Sequence, residues 1–492
     1  MAQEIQAAPE RHPRGLYTLF LTEMWERCSY YGNRGLLILF MTAAMAKGGL
    51  GMTDKEAAAI YGLYTAGVYL AALPGGWVAD RLLGAQRSVW LGGLLIIAGQ
   101  FTLAWPSLPT FYLGLGLLVM GTGLLKPNIS TMVGQLYPEG GARRDAGFTL
   151  FYMGINLGAA IGPLVCSTLG EKFSWRYGFL GAGAGMILGL IQFGLTSHHL
   201  GLAGKKPGHG GQVSPRDVRL LLGALVVVAA VVGLALAGVL KINPLRLAEG
   251  ATKVIVAIAV AYFTGLFLFL KLDRTEKMRL GVVVILFASS AMFWSGFEQA
   301  GSSLNLFADR YTNRVLGFLK YEIPAGWFQS VNPSFIILLA PVVAAVWIRL
   351  ERRGLNPSLP VKFALGLFLL AGGFLVMAVA ATSVAAGVKV LPPWLIVTYL
   401  LHSLGELCLS PVGLSSITKL APQRLVGQMM GLWFLATSFG NLIAGLMAGN
   451  FSADAVDQMP ALFRQIVMTA VITGTVMLIL ARPIKRMLTG VK

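Results

Sequence analysis

Gly121-Thr-Gly-Leu-Leu-Lys126-Pro127-Asn-Ile-Ser-Thr-Met-Val-Gly-Gln-Leu136-Tyr-Pro138 returns further along the chain, at a constant offset, as Gly405-Glu406-Leu-Cys-Leu-Ser410-Pro411-Val-Gly-Leu-Ser-Ser-Ile-Thr-Lys-Leu420-Ala-Pro422. The first Gly, one Leu, both Pro and the late Leu coincide, and a two-residue deletion later Gly158 meets Gly440. Each copy sits in a long apolar run, so the match pairs a fourth and fifth span with a twelfth and thirteenth. Six spans of about 35 residues each would put repeats about 210 residues apart. The observed offset is longer by about 70 residues, the size of one inserted hairpin of two spans. The architecture expected is therefore all-α and polytopic: a major facilitator fold of two six-helix bundles with an inserted two-helix hairpin, fourteen transmembrane helices in all.

The composition requires a membrane. Of 492 residues, 56% are apolar and 12% charged, and the mean hydropathy is +0.70. Soluble domains carry about 25% charged residues, so a soluble fold, intrinsic disorder and a disulfide scaffold are all excluded. A ~30 Å hydrocarbon core needs about 20 apolar residues per helix. Fourteen stretches qualify, near 16–46, 57–80, 88–105, 109–136, 146–170, 178–196, 219–240, 251–270, 280–307, 327–348, 363–383, 393–418, 425–449 and 461–481. Pro74, Pro127, Pro163, Pro341 and Pro411 interrupt some of them, which membrane helices tolerate when neighbours re-satisfy the freed backbone groups. The runs lack the alternation of barrel strands and are too long for them.

Lys and Arg number 39 against 21 Asp and Glu, a net charge of +18. On a soluble chain that excess would suggest nucleic acid; here position gives another answer. With the N-terminus inside, basic residues of inside loops, among them Arg81, Arg87, Arg143, Arg144, Lys206, Arg352, Arg424 and Lys492, outnumber those outside by about two to one. Both termini are expected in the cytoplasm, and no nucleic-acid partner is expected. Residues 1–15 lack the apolar core and cleavage site of a signal peptide. Cys28, Cys166 and Cys408 fall within spans without CxxC spacing, so neither a disulfide nor zinc is expected. The expected division is 1–200 for the first bundle, 201–275 for the linker and hairpin, and 276–492 for the second bundle. Gly-, Pro- and Lys-rich residues 204–216 mark the linker.

Seven charges lie inside spans, where each costs about 2.5–3.5 kcal/mol at a helix centre and so usually faces a cavity and carries function. Glu23, Glu26, Arg27 and Arg34 share the first span, and with Tyr30 and Tyr31 they fall within an arc of about 140° on one face. Lys126, Glu298 and Glu406 are solitary in the fourth, ninth and twelfth spans. Opposite lone charges should pair, which makes an inter-bundle Lys126–Glu406 bridge attractive. His402, four residues before Glu406, is expected to be structural. Asp80 is expected in a latch at a cytoplasmic helix end, outside the substrate site.

Glu23-Met-Trp-Glu26-Arg27-Cys28-Ser29-Tyr30-Tyr31-Gly32 resembles the ExxERFxYYG motif of proton-coupled oligopeptide transporters, with Cys28 where Phe is usual. The second-span Tyr69-Leu…Pro74-Gly75-Gly76 and Asp80, Gly123-Leu-Leu-Lys126-Pro127-Asn128, and Phe148-Thr-Leu-Phe-Tyr-Met-Gly-Ile-Asn156-Leu-Gly158 are similar to further family signatures. So are Phe293-Trp294-Ser-Gly-Phe-Glu298-Gln299, Trp327-Phe-Gln-Ser-Val-Asn332-Pro333, Gly405-Glu406-Leu and Gly431-Leu-Trp433-Phe434, all in order. The extra hairpin is similar to that of bacterial members.

That resemblance implies a proton-coupled symporter importing di- and tripeptides by alternating access, with the peptide between the bundles near midplane. It implies proton coupling at Glu23, Glu26, Arg27, Arg34 and Glu298, and inter-bundle salt bridges Arg34–Glu298 and Lys126–Glu406. The peptide carboxylate would meet Arg27, Lys126 and Tyr31, with Arg34 close by, and the amine Glu406, Asn156 and Asn332. Tyr69, Trp294 and Trp433 would shape side-chain pockets. No cofactor is implied beyond the proton; the chain is expected as a monomer in the bacterial cytoplasmic (inner) membrane. No histidine stands between His12 and His198 to take the role of the second-span histidine of animal members, so carboxylates would carry the proton. A family-related transporter of a small anion such as nitrate is the alternative, though an anion has no use for Glu406. A polytopic membrane enzyme or a channel would want convergent metal-ligand spacing or a filter motif, and neither is found.

Overall fold

The computed structural model describes residues 11–105, 107–138, 141–205, 213–236, 239, 243–317, 320–422, 425–451 and 456–487. Lys206 and the middle of the expected linker, with the basic residues Arg424 and Lys492, lie outside the described residues. Among the described residues fourteen helices of 19 residues or more follow one another: α1 (Arg14–Thr42), α2 (Asp54–Val78), α3 (Ala85–Leu103), α4 (Leu108–Gln135), α5 (Gly141–Lys172), α6 (Trp175–Thr196), α7 (Pro215–Leu236), α8 (Pro244–Phe269), α9 (Arg274–Phe297), then, after the short α10 (Ser303–Tyr311), α11 (Val331–Arg352), α12 (Leu359–Ala385), α13 (Pro393–Leu420), α14 (Val426–Ala448) and α15 (Met459–Ile479). A last short helix, α16, covers Ala481–Met487. Among the described residues twelve spans are apolar and long enough to cross a membrane. The long helices outside that set are α1, which carries Glu23, Glu26, Arg27 and Arg34, and α3, which carries Gln86, Arg87 and Gln100. All five interrupting prolines lie inside helices.

Helix starts follow local chemistry. Thr53 and Glu56 form a capping box at α2, and Asp273 and Glu276 form another at α9, each satisfying donors that the first turn leaves open. The ninth span departs from the continuous stretch expected over 280–307. Its α-helix ends at Phe297, Glu298–Gly301 form a 3-10 turn, and Ser302 (φ −120, ψ −96) breaks the path before α10. Glu298 is thereby presented at a helix end, not mid-helix.

α1 packs on α5 and α6, α3 on α4 and α6, and α2 on α4; later in the chain α12 packs on α13 and α15, and α14 on α9. The two sets meet where α2 crosses α14 and α5 crosses α11. The repeated glycines explain part of this closeness. A Cβ at Gly158 would fall 2.1 Å from the Met24 carbonyl oxygen of α1, and one at Gly440 would fall 2.5 Å from Trp294 Cβ of α9. Each copy of the repeat thus uses a glycine to press one helix onto the span that carries ionisable residues.

The hairpin is asymmetric. α7 is exposed over most of residues 215–234, whereas α8 lies against both α2 and α14, and Tyr262 donates its hydroxyl proton to Gln428 Oε1 on α14. The side of the molecule on which α1 starts is here called the terminal face.

Candidate functional site

A cavity of about 320 Å³ opens between the α1, α2, α4, α5 side and the α9, α11, α13, α14 side. Its walls include Glu23, Arg27, Tyr31, Arg34, Tyr69, Lys126 and Asn156 from one side and Trp294, Glu298, Asn332, Glu406 and Trp433 from the other. Of the residues expected to couple the proton or bind the peptide, Glu26 alone is outside this lining; it sits behind, bonded to Arg27. Small-ligand sites run from about 300 to 1,000 Å³, so the volume suits a small solute and not a long chain.

On α1 the helical arc becomes a network. Arg27 Nε lies 3.1 Å from Glu23, one turn away, and Arg27 also donates to Glu26. All three side chains are buried, so each charge needs its neighbour. Two turns on, Arg34 Nη2 reaches Glu298 Oε2 at 2.9 Å, and Arg34 Nε donates to the Tyr61 hydroxyl at 2.7 Å. This pair joins α1 to the broken end of α9.

The expected Lys126–Glu406 bridge is absent. Lys126 Nζ lies over the Tyr69 ring, 4.1 Å from its centroid, and Glu406 Oε2 accepts from Asn332 Nδ2 at 3.3 Å. Asn332 also donates to Ser403 at 2.9 Å. Among the described residues no ion pair joins Lys126 to Glu406, because each faces the cavity from its own wall and finds a local partner. The remaining amide, Asn156, donates to the Tyr152 carbonyl of its own helix at 3.0 Å.

His402 lines the cavity wall but is buried between Phe374 and Phe297, with ring centroids 4.9 and 6.3 Å away. Its ring fills the notch at Gly373, where a Cβ would come within 2.5 Å of the imidazole. Asp80 is exposed and lines a second space of about 960 Å³, with Trp77, Arg81, Gln428 and Phe434. Phe434 borders both spaces, so the second adjoins the cavity as a vestibule on the Asp80 side. Towards the opposite end, Arg310 grips Asp54 with two bonds of 2.7 and 2.8 Å.

Sequence reasoning missed Tyr61, Tyr152 and Tyr399, which shape this region; in an apolar run a tyrosine carries no mark that separates cavity lining from core. It also missed Asp54 and Arg310, which read as loop charges.

The POT family model, PTR2, matches residues 86–463. The chain belongs to the POT family. It is 46% identical to a peptide transporter of Yersinia enterocolitica, YePEPT, over 97% of this chain and 96% of the relative. It is 36% identical to a di-/tripeptide transporter of Lactococcus lactis subsp. cremoris, over 98% of this chain and 97% of the relative. A solved structure of a variant peptide transporter POT in complex with alafosfalin superposes with a TM-score of 0.90 at 40% identity, covering 99% of this chain and 98% of that one. The POT chain described here is accordingly a transporter and not an enzyme, with the family's major facilitator fold.

Proposed function

We propose that this chain is a proton-coupled symporter that imports di- and tripeptides by alternating access. The observation that carries the reading is the polarity of the cavity. Lys126, Arg27 and Arg34 stand on one wall, while Glu406, steadied by Asn332, stands on the other. A zwitterionic peptide presents an anion and a cation at nearly fixed separation, so such walls recognise its two ends. The side chains are left to Tyr69, Trp294 and Trp433. Charge-assisted hydrogen bonds are roughly twice as strong as neutral ones, which lets a site read backbone ends and remain tolerant of side chains. The names of the Yersinia and Lactococcus relatives support peptide as cargo.

In this reading Glu23, Glu26, Arg27, Arg34 and Glu298 couple the proton, which is the only coupling agent and takes the place of a cofactor. Protonating Glu298 frees Arg34 and loosens the tie between α1 and α9. Residues 1–200 and 276–492 act as the two moving bundles, with 201–275 as linker and hairpin. The transporter works as a monomer in the bacterial cytoplasmic membrane, with both termini in the cytoplasm, so the vestibule releases peptide inward.

The test is uptake of labelled dialanine by proteoliposomes with and without an inward acid gradient. Accumulation above the equilibrium level only with the gradient supports the reading. Equal uptake in both conditions, or none, overturns it.

A further inference from the structure

At the end of the molecule opposite the start of α1, the last turns of α5 dock on residues Ala325–Ser330, the 3-10 turn that leads into α11. Glu171 sets Oε2 2.6 Å from the backbone nitrogen of Ala325 and Oε1 2.8 Å from that of Gly326. One turn back, Thr168 accepts from the Trp327 indole at 2.9 Å. Ser167 packs so close to Gly326 that a Cβ there would lie 1.9 Å from its Oγ. Arg314 stands 3.6 Å from Glu171 and is held in place by Asp309 and Glu322 at 3.0 and 3.1 Å.

We propose that Glu171 latches the outer end of the transport path, as a positioning residue that reads the backbone of the lead-in turn and never touches the cargo. The proposal rests on the alternating-access reading above, since a latch has meaning only if this end opens. Three observations support it.

The contact joins α5 to a turn from the later set of helices, so it must part if the two sets separate here. Next, the amides of Ala325 and Gly326 belong to the start of a helical segment, where donors lack intrahelical partners. Their acceptors come from the opposite set of helices, and water can replace a carboxylate at such donors when the seam opens. Finally, the seam between latch and cavity is polar. Ser167 Oγ, Gln299 Nε2, Asn305 Oδ1 and Ser330 Oγ are buried and find no protein hydrogen-bond partner among the described residues. A permanent interface would carry that cost for no return, whereas a seam that alternately hydrates uses the same groups to line a path.

The experiment uses the full-length protein in proteoliposomes with a Ser330→Cys reporter beneath the latch. A membrane-impermeant maleimide is applied from the side of the 325–330 turn. Adding Glu171→Ala should speed labelling roughly tenfold, equivalent to about 1.4 kcal/mol in the balance between the two faces. Glu171→Gln should fall between, because it offers one acceptor oxygen to two backbone donors. Gly326→Ala tests the same contact through another atom: its Cβ collides with Ser167, and labelling should rise as with Glu171→Ala. Unchanged labelling in these variants overturns the latch. So does an equal rise at buried Cys408 on α13, which would mean general loosening. Labelling needs no cargo, so its outcome is separate from the dialanine test: the parent protein failing to take up peptide sinks the proposed cargo, whereas unchanged labelling sinks the latch.

Discussion

Arg34 and Glu298 meet at 2.9 Å although they lie on α1 and at the broken end of α9, and Tyr61 on α2 completes the arginine's contacts at 2.7 Å. Three helices from both parts of the chain are thus tied at one buried guanidinium, directly on the cavity wall. Any event that removes the charge of Glu298 leaves Arg34 free to change partner.

Glu298→Gln should spare counterflow exchange of labelled peptide and abolish accumulation driven by an acid gradient. The amide keeps the shape of the carboxylate but neither binds nor releases the proton. Intact gradient-driven uptake in the variant would falsify the coupling role.

Lys126→Ala should retain folding and lose peptide affinity by roughly ten- to a hundredfold, the worth of one charge-assisted contact of about 1.5–3 kcal/mol. Lys126 has its ammonium over Tyr69 and, among the described residues, no carboxylate at ion-pair distance, so its charge is available to an incoming anion. Binding titration on detergent-solubilised protein, alongside a melting curve, separates the two effects.

Tyr61→Phe should weaken the Arg34 anchor by about 0.5–1.5 kcal/mol, the net worth of one hydrogen bond. The guanidinium stays paired with Glu298, so transport should fall a fewfold and not vanish. A full loss of uptake with normal folding would assign the hydroxyl a larger role than holding Arg34.

Gly158→Ala should lower stability by about 1–3 kcal/mol, the usual cost of overpacking. Its methyl group would fall 2.1 Å from the Met24 carbonyl oxygen, and backbone cannot move aside as a flexible side chain can. Thermal unfolding monitored by intrinsic fluorescence would register the drop, and a variant as stable as the parent would contradict the close α1–α5 contact.

Much of the fold was legible. Apart from the ninth, whose helix ends at Phe297, each apolar run became one helix within several residues of its expected bounds, because lipid rewards any segment of about 20 apolar residues regardless of what surrounds it. The paired glycines Gly158 and Gly440 were legible as a repeat, and each proved to be a point of close helix approach. The charged residues of α1 were legible as a face, because helical periodicity alone aligns Glu23, Arg27 and Arg34.

Pairing was not legible to the same degree. Arg34 and Glu298 meet, whereas Lys126 and Glu406 stay apart, although each couple is one basic residue and one carboxylate from the two parts of the chain. The difference lies in where the walls of the cavity stand.

By itself, then, the amino-acid order determined the succession of long apolar helices, the repeat, the family and the charges that line the cavity. These are local properties, carried by hydropathy over a few turns and by side-chain identity. Only the tertiary structure decided which charges touch, that α9 breaks at Glu298, and that Glu171 seizes the amides of Ala325 and Gly326. A carboxylate at a helix end reads as a surface charge until a helix start from the other half of the chain is packed against it. Such contacts form only when two distant segments are brought within about 3 Å, a distance that sequence periodicity does not encode.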